Sequence, residues 1–371
     1  MLSQLLSISS VLVSALYIVL AIFVLLLMIM IHELGHYTAG KLLKFKINEF
    51  SIGFGKAIFQ KTTKTGEKIS LRLFPLGGYC AFEGEDQDEK DNPEAFNNQK
   101  PWKRLIVLFA GAFFNFVSAI LFSFIFLMAY GYSDRVVVTN ISENVPGVSQ
   151  LQEGDVIYAV NGEYGNFIYD KYFSKSIQEI GDSDEKITLT IKRDGEMQEV
   201  VVYKSMQLAD VYDEDGNQVF DDDGVAVQEE KMMLGVGTTN YRYSFFEALG
   251  HCFVFTVGWA WKVLVVLWQM ITFKLNIKDL GGTVTTIVTI AEYTQINFGN
   301  LMLLLPLISV NLAVFNLLPF PALDGARMVF VGIEGIRKKP IRRDVEGMIH
   351  FIGLVTLLAF VVVVDILHFV L

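Results

Sequence analysis

His32 and His36 stand four residues apart, with Glu33 beside the first. On a helix that spacing projects both imidazoles from one face, where they can share a metal ion, and leaves the carboxylate adjacent to take a proton from a water the ion activates. Zinc is the expected ion, because neutral imidazole and carboxylate ligands suit it and it brings the pKa of a bound water to about 7. Two histidines leave the ligand set incomplete, so a third protein ligand must come from elsewhere in the chain. Asp324 is the candidate. It closes the run Asn316-Leu317-Leu318-Pro319-Phe320-Pro321-Ala322-Leu323-Asp324-Gly325 at the end of an uncharged stretch, residues 293–323. Two prolines there make irregular backbone, which at membrane depth is tolerated only against protein or a water-filled cavity. The plainer reading of Asp324 is a helix cap.

The elements that must position these groups are membrane spans. Residues 11–31 form a 21-residue uncharged stretch running into the histidine motif, and ionisable residues at the edge of a span are costly enough to imply function. Of the 371 residues, 52% are hydrophobic and the mean hydropathy is +0.43; the apolar blocks exceed what a soluble core helix needs. The first block is too long for a signal-peptide core, lacks a basic leader and ends in the metal motif, so it is expected to be retained. Residues 37–104 carry twelve Lys and Arg, including Lys41, Lys44, Lys46, Lys100, Lys103 and Arg104 near membrane ends. They predict a cytoplasmic loop and an outside amino terminus. Arg337, Lys338, Lys339, Arg342 and Arg343 place the segment after Asp324 on the same side as the histidines. Residues 105–130 span outward, 347–364 span outward again, and parity then makes 245–273 an interfacial amphipathic stretch despite its apolar runs. The expected fold is a polytopic α-helical membrane protein with four transmembrane helices, a membrane-reentrant β-hairpin and a β-rich extracytoplasmic PDZ domain.

The hairpin is read from the alternation in residues 47–55 and 69–74, joined through Thr65-Gly66 and followed by Pro75-Leu76-Gly77-Gly78-Tyr79. Its glycines suggest a sheet edge near Gly53 that receives an extended peptide. The acidic run 83–94 reads as a solvated connector. In residues 136–208, Gly154-Asp155-Val156-Ile157, the turn at Asn161-Gly162 and the strand from Ile187 to the turn at Asp194-Gly195 follow the order of a PDZ domain. Residues 210–231 form a very acidic excursion with turns at Asp215-Gly216 and Asp223-Gly224. Between residues 131 and 245 there are 22 Asp and Glu against 9 Lys and Arg, which carries the whole net charge of -10 and excludes nucleic acid as a partner. The parts are therefore 1–130 (two spans and the reentrant β-region), 131–208 (PDZ), 209–244 (acidic hairpin), 245–297 (interfacial helices) and 298–371 (two spans with the Asp motif). Cys80 and Cys252, the only cysteines, fall on opposite sides of the membrane and form no disulfide. Asn115 is a polar residue inside a span, there to bond a neighbouring helix near the site or to hold the bundle together. His251, His350 and His368 lack ligand spacing and read as interfacial.

With these motifs in order along nearly the whole chain, the sequence resembles the site-2 protease family of intramembrane zinc metalloproteases, and most its RseP-type bacterial branch with a PDZ insert. The resemblance implies that His32, His36 and Asp324 bind Zn2+ and that Glu33 is the catalytic base. It further implies that Asn316, Pro319, Gly53, Phe54, Gly55 and Asn115 belong to the substrate-binding region. Its substrates would be single-span membrane proteins such as anti-sigma factors or signal-peptide remnants, cleaved in the bacterial cytoplasmic (inner) membrane, with both termini and the PDZ domain extracytoplasmic. Extended peptides would dock at the PDZ groove, and the lipid bilayer is the other partner. Two departures stand out: Ala326 follows Gly325 where a second glycine is usual, and Gly281-Gly282-Thr283 stands where Gly-Pro is usual. Neither removes a ligand. Competing readings are a non-proteolytic membrane-anchored PDZ scaffold with a structural metal site, which intact Glu33 argues against, and a metal transporter, which would need more ionisable residues in the spans.

Overall fold

A computed structural model describes residues 2–85, 92–142, 148, 150–165, 176–177, 186–211, 218–221, 225–272, 274 and 281–370. The chain divides into two compact units, Met1–Phe126 with His251–Leu371, and Leu127–Gly250.

In the first unit α1 (Leu2–Leu42) carries the histidine motif, followed by β1 (Ile47–Thr62), β2 (Lys68–Phe82) and α2 (Pro101–Ala129). Among the described residues, five stretches are long and apolar enough to cross a membrane by length and composition: Val11–Leu42, Pro101–Ala129, Phe245–Ile271, Phe298–Asn316 and Arg343–His368. On α2, Ile106, Phe109, Phe113, Val117, Leu121 and Ile125 form an exposed stripe at helical spacing, while Val107, Leu108, Ala112 and Ala119 are buried. So continuous an apolar face is stable only with lipid as its solvent, and the chain is a membrane protein. Residues 245–273, expected as an amphipathic interfacial helix, give one unbroken helix as far as Ile271, itself long and apolar enough to cross a membrane. Lys262 does not interrupt it: lysine is a good helix former, and its ammonium lies 4.6 Å from the centre of the Trp259 ring. Phe273 lies outside the described residues.

The β-region departs from a plain hairpin. Residues 49–52 pair on one side with 68–71 and on the other with 78–81, while 57–62 pair with the outer side of 68–72. Each strand is thus folded over, giving four segments in the order 57–62, 68–74, 47–54 and 77–82. Gly53 and Gly55 make the bend in β1 with φ of 85° and 83°, a region that only glycine enters without strain. Arg72 fixes the bend by donating to the Gly55 carbonyl oxygen at 2.5 Å and to Glu49 at 2.7 Å. The Gly53 segment is consequently interior to the sheet, not an open edge. The open side belongs to Gly78–Phe82, which no other described strand covers.

Later in this unit come α3 (Phe245–Ile271, from His251 onward), α4 (Thr283–Ile296), α5 (Phe298–Asn316), α6 (Asp324–Arg337) and α7 (Arg343–Val370). Ala21, Val24 and Met28 of α1 pack on Ile290 of α4 and on Leu301, Leu305 and Ile308 of α5. Asp365 of α7 caps α4, accepting from the Val284 amide at 3.1 Å and from the amide and hydroxyl of Thr285 at 3.0 and 2.8 Å. At the start of α2, Arg104 donates to Glu334 of α6 at 2.6 Å, and Glu334 also meets Arg343 at 3.2 Å and the Ile341 amide at 2.9 Å.

The second unit is built on a sheet ordered β10-β3-β4-β6-β7, with β5 paired to β4: β3 (Tyr132–Ile141), β4 (Val156–Val160), β5 (Glu163–Tyr164), β6 (Ile187–Arg193), β7 (Glu196–Val202) and β10 (Val236–Tyr241). Alternate residues such as Ile187, Leu189 and Ile191 point into one core with Val136, Val138 and Val202, as period-two patterning requires. A boundary at residue 208 does not hold here, because β10 returns to pair with β3. Of the acidic excursion, β8 (Ser205–Asp210) and β9 (Gln228–Met233) form a separate two-stranded ribbon. Its turns at Asp215-Gly216 and Asp223-Gly224 lie outside the described residues.

Glu334 and Arg104 are 5% and 4% exposed at their side chains, so removing one partner strands a buried charge. Glu334→Ala is expected to destabilise the protein by about 3–5 kcal/mol, read as a lowered midpoint of thermal unfolding in detergent; an unchanged midpoint would show that the pair holds nothing together.

Candidate active site

His32, Glu33 and His36 lie in the last three turns of α1, and α2 crosses them at backbone distance. A Cβ on Gly35 would collide with the Ala110 carbonyl, and one on Gly111 would collide with the imidazoles of His36 and His32. The two glycines therefore let the helices touch and leave room for the rings. His36 Nδ1 lies 2.8 Å from the Val107 carbonyl oxygen. A carbonyl only accepts, so Nδ1 carries the proton and the Nε2 lone pair is free for a ligand.

Asp324 arrives as the first residue of α6. After α5 ends at Asn316, the proline-containing turn doubles back so tightly that a Cβ on Gly325 would strike the carbonyls of Leu317 and Leu318. Ala322 takes a φ of 87°, rare for a residue with a side chain, and its amide donates to His350 Nδ1 at 3.0 Å. His350, expected as a lone interfacial histidine, thus braces the turn that presents the acid. It was missed because its partner is a backbone amide, which no spacing rule reveals.

Asp324 Oδ2 lies 3.0 Å from His32 Nε2 and 3.2 Å from His36 Nε2, and the two ring nitrogens are 3.1 Å apart. One ligand atom from each residue falls within 4.8 Å of the others. Oδ2 is buried without a hydrogen-bond partner, although such burial is costly for a carboxylate oxygen. A cation among these atoms removes that cost, and two imidazoles with one carboxylate, leaving a position open, is a donor set suited to catalytic zinc. The residues present fit the ion.

Glu33 faces β2 rather than the metal-ligand cluster alone. A Cβ on Gly78 would stand 3.4 Å from Glu33 Cγ. His32, Glu33, His36, Asp324, Asn316 and the segment Tyr79–Phe82 line one cavity of about 590 Å³. Of the other residues expected near substrate, Phe54 stacks on Tyr79 with ring centroids 6.2 Å apart. Gly53 and Gly55 serve the bend, and Pro319 is exposed in the turn. Asn115 has no accessible surface; its amide sits 3.5 Å from His32 Nδ1, so it touches the histidine instead of the cavity. Glu85, in the run expected to be solvated, pairs with Arg327 at 2.6 Å at the cavity wall. Residues 86–91 of that run lie outside the described residues. Cys80 and Cys252 are free thiols.

The family model for peptidase family M50 matches residues 20–360. The chain belongs to peptidase family M50. Relatives of this M50 peptidase include a protein of Fusobacterium nucleatum, 28% identical over 351 residues (94% of this chain, 96% of the relative). One from Clostridium perfringens is 28% identical over 352 residues (94% and 97%), and one from Helicobacter pylori strain J99 is 28% identical over 346 residues (90% and 94%). Each is named as a candidate zinc metalloprotease. The M50 peptidase described here is a membrane-bound zinc metalloprotease.

A methyl group at Gly111 would push on both imidazoles. Gly111→Ala is expected to lower peptidase activity by about a hundredfold, the order set by a 1 Å misplacement of reacting groups, and to reduce zinc retained after purification. Full activity with full zinc content would contradict the close α1–α2 contact.

Proposed function

We propose that this M50 peptidase hydrolyses peptide bonds within or beside the transmembrane segments of single-span membrane proteins, working near the cytoplasmic face of a bacterial inner membrane. The observation that carries the proposal is the open strand Gly78–Phe82 beside Glu33 and the three ligands, in a cavity that shares Leu312 and Asn316 with an apolar cavity. That second cavity, about 660 Å³, is lined by Leu267, Met270, Leu318, Phe320, Leu357 and Phe360 among others. Its apolar walls suit a lipid-embedded segment, and its neighbour suits the unwound part of that segment.

A helical substrate hides its carbonyls in its own hydrogen bonds, so it must unwind before attack. Pairing with the open backbone of Gly78–Phe82 replaces the bonds it gives up, and Asn316 offers an amide to the extended chain. Zinc, when bound by His32, His36 and Asp324, supplies the Lewis acid that polarises the scissile carbonyl and makes water acidic. Glu33 takes the proton from the attacking water and delivers it to the leaving amine nitrogen.

The same reading assigns four spans, with α3 as an interfacial helix on the outer surface and both termini outside. In support, Ser123 and Phe126 of α2, which meet Thr256 and Phe255, and Phe360 and Val364 of α7, which share a cavity with Leu267 and Met270, lie toward the helix ends remote from the basic loops. Residues 127–250 read as a PDZ-type extracytoplasmic module that takes extended peptides along a strand edge. Anti-sigma factors and signal-peptide remnants are the substrate kinds this reading favours.

Glu33→Gln keeps the shape and removes the base. In a purified preparation it is expected to retain zinc while cleavage of a membrane-anchored reporter falls by at least about a hundredfold, and a chelator is expected to abolish wild-type cleavage. Undiminished cleavage by the variant would exclude Glu33 as the base.

A further inference from the structure

We propose that Asn115 is a positioning residue for the metal centre, its carboxamide oxygen accepting a hydrogen bond from His32 Nδ1–H. The proposal rests on His32 binding zinc through Nε2, as assigned above. His36 has its orienting acceptor, the Val107 carbonyl oxygen at 2.8 Å on α2. His32 needs one too, because an imidazole that offers its Nε2 lone pair must carry its proton on Nδ1. Among the described residues the side chain recorded against that nitrogen is Asn115, two turns along the same helix, with Nδ2 at 3.5 Å.

The amide nitrogen is the wrong partner for a protonated Nδ1, since two N–H groups would face each other. Its twin atom, Oδ1, is buried with no hydrogen bond. The two ends of a carboxamide are nearly isosteric and exchange by a half-turn about the terminal bond. With that half-turn Oδ1 meets Nδ1–H, and the unpaired buried acceptor acquires its donor. A carbonyl on α2 and a carboxamide two turns away then hold the two rings of the H-E-x-x-H motif by the same kind of bond.

The backbone around Asn115 is anchored as such a role requires. Ser309 of α5 donates to the Asn115 carbonyl oxygen at 2.8 Å, Ser118 donates to it at 2.9 Å, and the two hydroxyls lie 2.7 Å apart. Asn115 has no solvent exposure and Ser309 none. The α5 helix leads directly into the turn that carries Asp324, so one serine ties the supports of two ligands together. Bulk alone does not need an amide here; a leucine would fill similar space.

The test uses the full-length protein in detergent and three variants, Asn115→Asp, Asn115→Leu and Asn115→Ala. Zinc affinity is measured by competition with a chromophoric chelator, with thermal unfolding in excess chelator as the control for folding. Loss of an outer-shell partner typically weakens metal binding by about 10–100-fold, so Leu and Ala are expected to fall by that amount. Asp, which can only accept when ionised, is expected to stay within about threefold of wild type by the same criterion. If Asp weakens binding as much as Leu, the amide acts as a donor and the proposal is wrong. If Leu binds zinc as wild type does, Asn115 only packs. Should Ala fail to fold, the Asp and Leu pair still decides. Failure of the wild-type protein to bind zinc would instead overturn the metalloprotease site, whatever the Asn115 variants do.

Discussion

Two helices in contact at their backbones set the geometry on which everything else depends. Apolar side chains gain nothing by leaving lipid for one another, so helices in a bilayer associate through close van der Waals approach and polar bonds. Gly35 and Gly111 supply that approach between α1 and α2, each at a helix-propensity cost of about 1 kcal/mol relative to alanine. What the contact yields is position. The His36 ring comes within reach of the Val107 carbonyl, the His32 ring comes beside Asn115, and both Nε2 atoms turn to one point.

The third ligand is delivered by a different device. A carboxylate on a straight helix could not follow a membrane span so closely. The chain instead breaks after Asn316, doubles back through Pro319 and Pro321, and starts α6 at Asp324. His350 from α7 holds the Ala322 amide of that turn, Arg327 one turn into α6 grips Glu85 at the end of the β-region, and Glu334 further along grips Arg104 at the foot of α2. Polar bonds at the basic-loop end thus tie the acid-bearing helix to the histidine-bearing pair. Wherever these bonds fail, the carboxylate loses its register with the imidazoles.

Much of the site is legible in the sequence because its logic is local or chemical. The i, i+4 histidines, the adjacent glutamate and an acid at the end of a long uncharged stretch need no tertiary knowledge, and the structure brings the two histidines and Asp324 within ligand distance of one another. What escaped depends on long-range packing. Gly53 and Gly55 mark a bend rather than an edge, since alternation cannot tell that β1 is paired on both sides of residues 49–52. Asn115 meets a neighbouring helix near the site, as a polar residue inside a span suggests, but helical phase relative to α1 turns it to the back of His32 and not toward substrate. His350 and Glu85 bond partners remote in sequence, and β10 rejoins a sheet after a long acidic excursion, which strand patterning alone cannot foresee.

A zinc protease buried in lipid must admit both water and an unwound backbone to the same place. Here Glu33 and the open strand line the polar cavity, and Leu312 and Asn316 line both it and an adjoining apolar cavity. That arrangement works only if His32, His36 and Asp324 share one ion. X-ray absorption at the zinc edge on the purified full-length protein addresses this directly. The expected spectrum has two imidazole nitrogens and oxygen ligands at about 2.0–2.2 Å with no sulfur, and it collapses on replacing Asp324 with alanine. A sulfur shell, or an unaltered spectrum in that variant, would contradict the shared site.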